Sequence, residues 1–295
     1  MLNSETQQEF KDCLDFIEKK LESFFIANDE NYATLLESMR YSLLAGGKRI
    51  RAVLCIKFCE AAGGKTEDAL PLACAIEMLH AYSLIHDDLP CMDNSDMRRG
   101  KPANHIKYGE FTATLAGDAL QAAAFETILN SNLPPALIIE IGKVFAEAAG
   151  VSGICGGQYL DLYNEEKELS IETLSQIHAL KTSALFSAAT RIGVISANGT
   201  HGQIKAAGDY AQAIGLAFQV RDDLLDITAT QEQLGKPVGS DSVNSKTTFA
   251  TLMGIPSCEE IITNETNKAI EAIKAEFDNP GFLINLAKKL AGREN

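Results

Sequence analysis

A chain of 295 residues, 46% apolar with a formal net charge of −14, has ample material for a large buried core and too little positive charge for a broad nucleic-acid footprint. An anionic ligand would need a local basic pocket or a bridging cation. The start, MLNSETQQEFKDCLDF, carries charge too early for a secretory signal, and no run approaches about 18 consecutive apolar residues. The seven cysteines include no CxxC pair. A cytoplasmic protein is expected, with no stable membrane insertion, disulfide framework or zinc site.

Along the chain, apolar positions recur mostly at three and four residues, the helical repeat. The run AVLCIKF over 52–58 has a strand's composition, but its pattern continues helically through Cys59 and Glu60 to a stop at Gly63-Gly64-Lys65. Cys55 and Cys59, four apart, read as core packing on one helical face. Thr66 with Glu67 and Asp68 predicts the next helix start, pairing a capping hydroxyl with early negative charge. Ala-rich AGDALQAAAFETIL suits close-packed helices. Pro134-Pro135 and Asn198-Gly199 mark further connections, and Ser170 with Glu172 another N-terminus. With no fixed-period repeat and no evident linker, one large all-α domain over residues 1–295 is expected.

The sharpest motif, His86-Asp87-Asp88-Leu89-Pro90-Cys91-Met92-Asp93, ends the apolar stretch ACAIEMLHAYSLI. Pro90 disrupts helical pairing there, which allows Asp93 to curl back toward Asp87. A second cluster, Asp222-Asp223-Leu224-Leu225-Asp226, follows AIGLAFQV. On a helix Asp222 and Asp226 share a face, with Asp223 about 100° round. Carboxylates crowded on one face repel unless a cation sits between them, and hard oxygen ligands favour Mg²⁺, which usually keeps several waters and takes phosphate oxygens as well.

Cations that suit phosphate lie at Gly46-Gly47-Lys48-Arg49-Ile50-Arg51 and in DMRRGKPANH, where Arg98 and Arg99 closely follow the first acidic cluster. The front motif is not a Walker loop. Lys181-Thr182, Lys236 and Lys246 are later candidates. Gln158 and Asp161, three apart in GGQYLDL, share a helical face.

In order, GGKRIR, HDDLPCMD with RRG, GGQYLDL, KTSALF, FQVRDDLLD, LGKPVGSD and KTTF make a chain that resembles the trans-isoprenyl diphosphate synthases from about Gly46 to Phe249, most closely their bacterial farnesyl branch. The resemblance implies an all-α bundle around a central cavity, acting as a homodimer. It implies catalytic roles for Asp87, Asp88, Asp93, Arg98, Lys181 and Asp222, with Asp87, Asp88, Asp93 and Asp222 serving the metal. Lys48, Arg51, His80 and Arg99 would bind isopentenyl diphosphate; Arg98, Lys181, Thr182, Gln219 and Lys236 the allylic diphosphate; and Lys246 is a further ligand. Roughly three Mg²⁺ per active site are implied, with Mn²⁺ as a substitute. Ala52, Ser95 and Ala250 depart from the family pattern in loop shape and remove no proposed ligand.

The implied reaction ionises dimethylallyl or geranyl diphosphate, condenses the cation with isopentenyl diphosphate and eliminates a proton, giving (2E,6E)-farnesyl diphosphate. Product length is expected to depend on Tyr82 and Ser83. Tyr82 stands five residues, about 7.5 Å of helix, before Asp87, and the resemblance implies that an aromatic there, together with the inserted Pro90-Cys91, goes with a C15 product. Geranyl or geranylgeranyl diphosphate synthesis is the alternative. A terpene cyclase or a non-catalytic partner subunit is disfavoured because both acidic clusters and the front basic motif are complete. A di-iron protein would need a second Glu-x-x-His beside Glu77–His80, and the sequence contains none.

Overall fold

The computed structural model describes residues 4–26, 30–165, 167–228 and 247–292. The helices are α1 Ser4–Glu22, α2 Ala33–Leu43, α3 Ile50–Ala61, α4 Thr66–Asp87, α5 Asn104–Tyr108, α6 Glu110–Leu129, α7 Pro135–Ala149, α8 Ile154–Tyr163, α9 Ile171–His178, α10 Ala184–Ser196, α11 His201–Thr228, α12 Phe249–Met253, α13 Ile255–Lys274 and α14 Gly281–Ala291. The all-α expectation holds. Two local exceptions serve the site: a π-helical turn, Ala179–Ser183, and a small antiparallel hairpin, β1 Met97–Arg98 with β2 Lys101–Pro102.

The breakers act as expected. Gly63 ends α3 with φ 87°, Pro135 opens α7, and Asn198 turns the chain before α11 with φ 54°. Ser170 caps α9, its Oγ accepting from the Thr173 amide at 3.2 Å. The start of α4 differs by one residue. Lys65 is its N-cap, and Thr66 donates its hydroxyl to Glu60 at 2.5 Å, because a carboxylate on the preceding helix competes for that hydroxyl.

The chain divides into two compact units. The N-terminal unit comprises 7–144 and 192–198, and the C-terminal unit 1–6, 145–191 and 199–295. In the N-terminal unit α4 lies against α6 so closely that a Cβ on Gly117 would sit 2.2 Å from His86 Nε2, and the end of α10 meets α3 where a Cβ on Gly193 would lie 2.1 Å from the Cys55 carbonyl oxygen. Cys55 and Cys59 are fully buried there, as core packing requires. In the C-terminal unit α11 packs along α13, and Tyr210, fully buried, donates to the Leu283 carbonyl at 2.9 Å. By length and composition α4 could cross a bilayer, but 67% of its apolar window is buried inside the protein, as in a core helix.

Candidate active site

In the N-terminal unit, α4 delivers Asp87 as its last residue and Asp88 as its C-cap. The chain then curls back as Pro90 suggested: the Asp93 amide donates to the Asp87 carbonyl at 2.9 Å, Asn94 to Leu89 at 3.1 Å and Ser95 to Asp88 at 3.2 Å. Asn94 takes φ 48° to close the turn. Asp87 and Asp93 are thereby held on one loop as hard oxygen donors.

Asp88 plays a different part. It is 2% exposed and receives Arg98 Nε at 3.0 and 3.1 Å, with Nη2 also on Oδ1 and 3.7 Å from Asp87 Oδ2. Burial pushes the Asp88 carboxyl up from its ordinary range, and Arg98 offsets part of that rise. Burial likewise opposes the charge on Arg98, but Asp88, Asp87 and Asp93 outweigh it and hold the guanidinium protonated. The hairpin makes this placement. Arg99 and Gly100, with φ 53° and 73°, form the paired positive-φ turn of a two-residue hairpin, setting Arg98 opposite Lys101.

Arg99 leaves that turn to donate Nη1 to the Gly46 carbonyl, and its guanidinium covers Gly47, where a Cβ would lie 2.9 Å from Cζ. Only glycine permits this approach. Lys48 is exposed beside it, and Arg51 lies in the first turn of α3. His80 on α4 feels Arg51, Arg99, Arg49 and Arg98; desolvation first, then these charges, hold it well below the usual imidazole range. It is neutral at pH 7, able to donate one hydrogen bond without adding charge. The expected group of Lys48, Arg51, His80 and Arg99 thus comes together within one unit.

In the C-terminal unit, a Cβ on Gly157 of α8 would stand 2.2 Å from the Lys181 amide nitrogen, so α8 and the π turn touch backbone to backbone. Lys181 Nζ donates to Asp161 at 2.7 Å. Thr182 donates to Gln219 at 3.4 Å, and Gln219 Nε2 to Asp223 at 3.2 Å. The second oxygen of Asp223 accepts the Phe249 amide at 2.9 Å. Asp161, Lys181, Thr182, Gln219 and Asp223 line a cavity of about 190 Å³ together with His178, Thr247 and Thr248. On α11 the buried carboxylates are Asp223 and Asp226, 5% and 3% exposed, and Asp222 is more open. Helix α11 runs unbroken through all three, so Asp222 and Asp226 keep the expected i,i+4 spacing on one face, while Asp223 is drawn inward by the start of α12. Lys236 and Lys246 lie outside the described residues.

Sequence reasoning missed His178, and it grouped Arg49 with the phosphate cations, whereas Arg49 is buried and paired with Glu18 and Glu77. His178 packs against Phe249 with ring centroids 5.5 Å apart, and burial lowers it to about 4, with Asp161 opposing and Lys181 reinforcing. Its position three residues before Lys181 was the available signal. Arg49 was hidden among neighbouring cations.

The donors suit magnesium. Among the described residues no group of three or more acidic, His or Cys side chains forms a self-contained metal cage; Mg²⁺ takes one or two carboxylates plus phosphate oxygens. Gln158 keeps Nε2 buried with no protein acceptor among the described residues, a donor that a diphosphate oxygen would satisfy.

Comparison with known proteins agrees with this chemistry. The polyprenyl synthetase family model matches residues 32–280. The chain is 47% identical over 272 residues to a geranylgeranyl diphosphate synthase of Cyanophora paradoxa, covering 90% of this chain and 89% of that one. Among solved structures, a geranylgeranyl pyrophosphate synthetase from Pyrococcus horikoshii matches with TM-score 0.89 and 32% identity, over 98% of this chain and 99% of that one. A geranyltransferase from Helicobacter pylori, complexed with magnesium and isoprenyl diphosphate, matches with TM-score 0.85 and 30% identity, over 99% and 98%.

These relatives correct the expected C15 product: curated proteins 43 to 47% identical to this chain are geranylgeranyl, not farnesyl, diphosphate synthases. The C15 expectation rested on the aromatic at Tyr82 together with the Pro90-Cys91 insertion. The Tyr82 ring packs edge-on against His86, centroids 5.0 Å apart, and His86 is wedged against Gly117 and bonded to the Thr114 carbonyl at 2.9 Å. Tyr82 therefore lies along the α4–α6 seam, and Ser83 spends its hydroxyl on the His80 carbonyl at 2.9 Å.

Proposed function

Because the chain belongs to the polyprenyl synthetase family and is a prenyltransferase, we propose that it extends an allylic diphosphate with isopentenyl diphosphate, head to tail, to geranylgeranyl diphosphate. The observation that carries the C20 reading is the set of geranylgeranyl synthases at 43 to 47% identity. The site residues support the chemistry. Lys48, Arg51, neutral His80 and Arg99 form a basic cradle for isopentenyl diphosphate. Arg98, Lys181 and Gln219 supply donors for the allylic diphosphate.

Asp87 and Asp93, with Asp222, would hold Mg²⁺, which neutralises the diphosphate as the C–O bond breaks. Arg98 and Lys181 add fixed positive charge where the leaving oxygens gather negative charge. Thr182 of the π turn and Gln219, bonded to each other, would offer dipoles to shelter the allylic cation. The isopentenyl double bond attacks that cation, and the released diphosphate accepts the proton lost in forming the new double bond.

The reading takes residues 1–295 as one catalytic domain and requires Asp87 and Asp222 to serve the same diphosphate. It also includes a homodimer. Phe111, Leu115 and Leu129 on α6 are 76, 50 and 65% exposed, on a face that also carries Asp118 and Glu126 and that a second copy would cover. Incubation with isopentenyl diphosphate, an allylic primer and Mg²⁺, followed by chromatography of the dephosphorylated products, should give C20. A C15 end product, or no turnover, would overturn the proposal.

A further inference from the structure

Helix α3 starts on a residue that opposes helix formation in three ways. Its N-cap is Arg49, with φ 48° and ψ 28° and no side-chain cap bond. Helices prefer a short oxygen-bearing side chain there in extended conformation, the left-handed region disfavours any residue with a Cβ, and a cation at the N-terminus opposes the helix dipole. The Arg49 side chain is moreover 2% exposed, so solvent does not relieve its charge.

Its surroundings explain why it stays. Nε donates to Glu18 at 2.8 Å, Nη1 to Glu77 at 3.0 Å and Nη2 to the Leu43 carbonyl at 2.7 Å. Burial opposes the charge, and the two carboxylates more than restore it. One planar fork thus joins α1, the end of α2 and α4 at the turn that carries Lys48 and Arg51. Glu77, 3% exposed, sits one turn before His80 on the same face of α4. The Arg49–Glu77 pair is a strut between the turn bearing two phosphate cations and the helix face bearing the imidazole.

We infer that Arg49 is a positioning residue for isopentenyl diphosphate, holding Lys48 and Arg51 at a fixed distance from His80 without touching the diphosphate itself. The inference rests on the substrate reading above. Arg49 has its own charge consumed by Glu18 and Glu77. Lysine could not replace it, because a single ammonium cannot span three acceptors set at the corners of a guanidinium.

The test is a split between the two substrates. Arg49→Lys should raise KM for isopentenyl diphosphate about tenfold or more while leaving KM for the allylic substrate within about twofold. Equal rises in both, or a fall in Tm with neither KM changed, would overturn the inference. Glu77→Gln, a milder change should Arg49→Lys fail to fold, should weaken calorimetric binding of isopentenyl diphosphate about fivefold. Equal binding by Glu77→Gln and the unaltered protein would overturn the strut alone. Binding that behaves as expected in an unaltered protein without turnover would remove the proposed reaction and leave the strut standing.

Discussion

Gly157→Ala tests whether the backbone contact between α8 and the π turn sets the position of Lys181. The new Cβ would meet Lys181 N at 2.2 Å, Lys181 Cα at 2.6 Å and the Leu180 carbonyl carbon at 2.8 Å, all backbone, so no side chain can swing aside. Restoring ordinary contact at 3.4 Å means moving the turn by about 1.2 Å, enough to part Lys181 from Asp161, now 2.7 Å away. Overpacking costs about 1–3 kcal/mol and the alanine returns about 1 kcal/mol of helix propensity, for a net loss of up to about 2 kcal/mol and a Tm lower by up to a few degrees. Activity should fall further than stability, since about 1 Å of misplacement costs about a hundredfold in rate. Incorporation of labelled isopentenyl diphosphate, alongside a thermal melt, reads both. Gly208→Ala on α11 is the control: its nearest neighbour is an Arg191 side-chain atom at 3.5 Å, so it should stabilise by about 0.5–1 kcal/mol. Unchanged turnover and Tm for Gly157→Ala would refute the reasoning.

His178, held at about 4 against a reference of 6.5, is neutral when folded but protonates in the unfolded chain between those values. Its contribution is complete above pH 6.5 and is lost as pH falls toward 4, at most about 3 kcal/mol; denaturant melts of His178→Gln should show a flatter dependence across that window. Inorganic pyrophosphate with Mg²⁺, at about a hundredfold excess over its Kd, should raise Tm by about 5 °C, and EDTA should remove the shift; a shift that survives EDTA would show that the cation is not needed for binding. Tyr82→Ala should pass products longer than C20 on chromatography, since it opens the seam beside His86; an unaltered product would exclude the ring from length control. Phe111→Asp should halve the sedimenting mass if that α6 face is covered by a second copy, and leave it unchanged if not.

Helical periodicity, breakers and acidic clusters were legible because each is a local property. Pro90 in an apolar helix end announced the return of Asp93, and Gly63, Pro135 and Asn198 ended or began elements where their dihedral preferences require. What escaped depends on partners distant in sequence. The run Lys48 to Arg51 reads as uniform positive charge, yet Arg49 is buried because Glu18 and Glu77 come to it from other helices, 31 and 28 residues away. The hairpin at Arg99-Gly100 falls outside the expected two-residue turn pairs, and the π turn carries no composition signal. Asp223 resembled its neighbours until the Phe249 amide, 26 residues on, claimed one of its oxygens. Product length was read from Tyr82, Ser83 and the Pro90-Cys91 insertion, all at one end of one helix, whereas the depth of a cavity belongs to every wall.

The distribution of thiols gives the molecule a use of its own. Cys13, Cys55, Cys59, Cys74 and Cys258 are buried, and burial pushes Cys13 and Cys74 up to about 12, so none of these presents a reactive thiolate near neutrality. Cys91 and Cys155 are exposed, one in each compact unit. Nitroxide or fluorophore labels would therefore attach at two places without engineering the background, and the separation between them would follow the two units in solution as substrate is added.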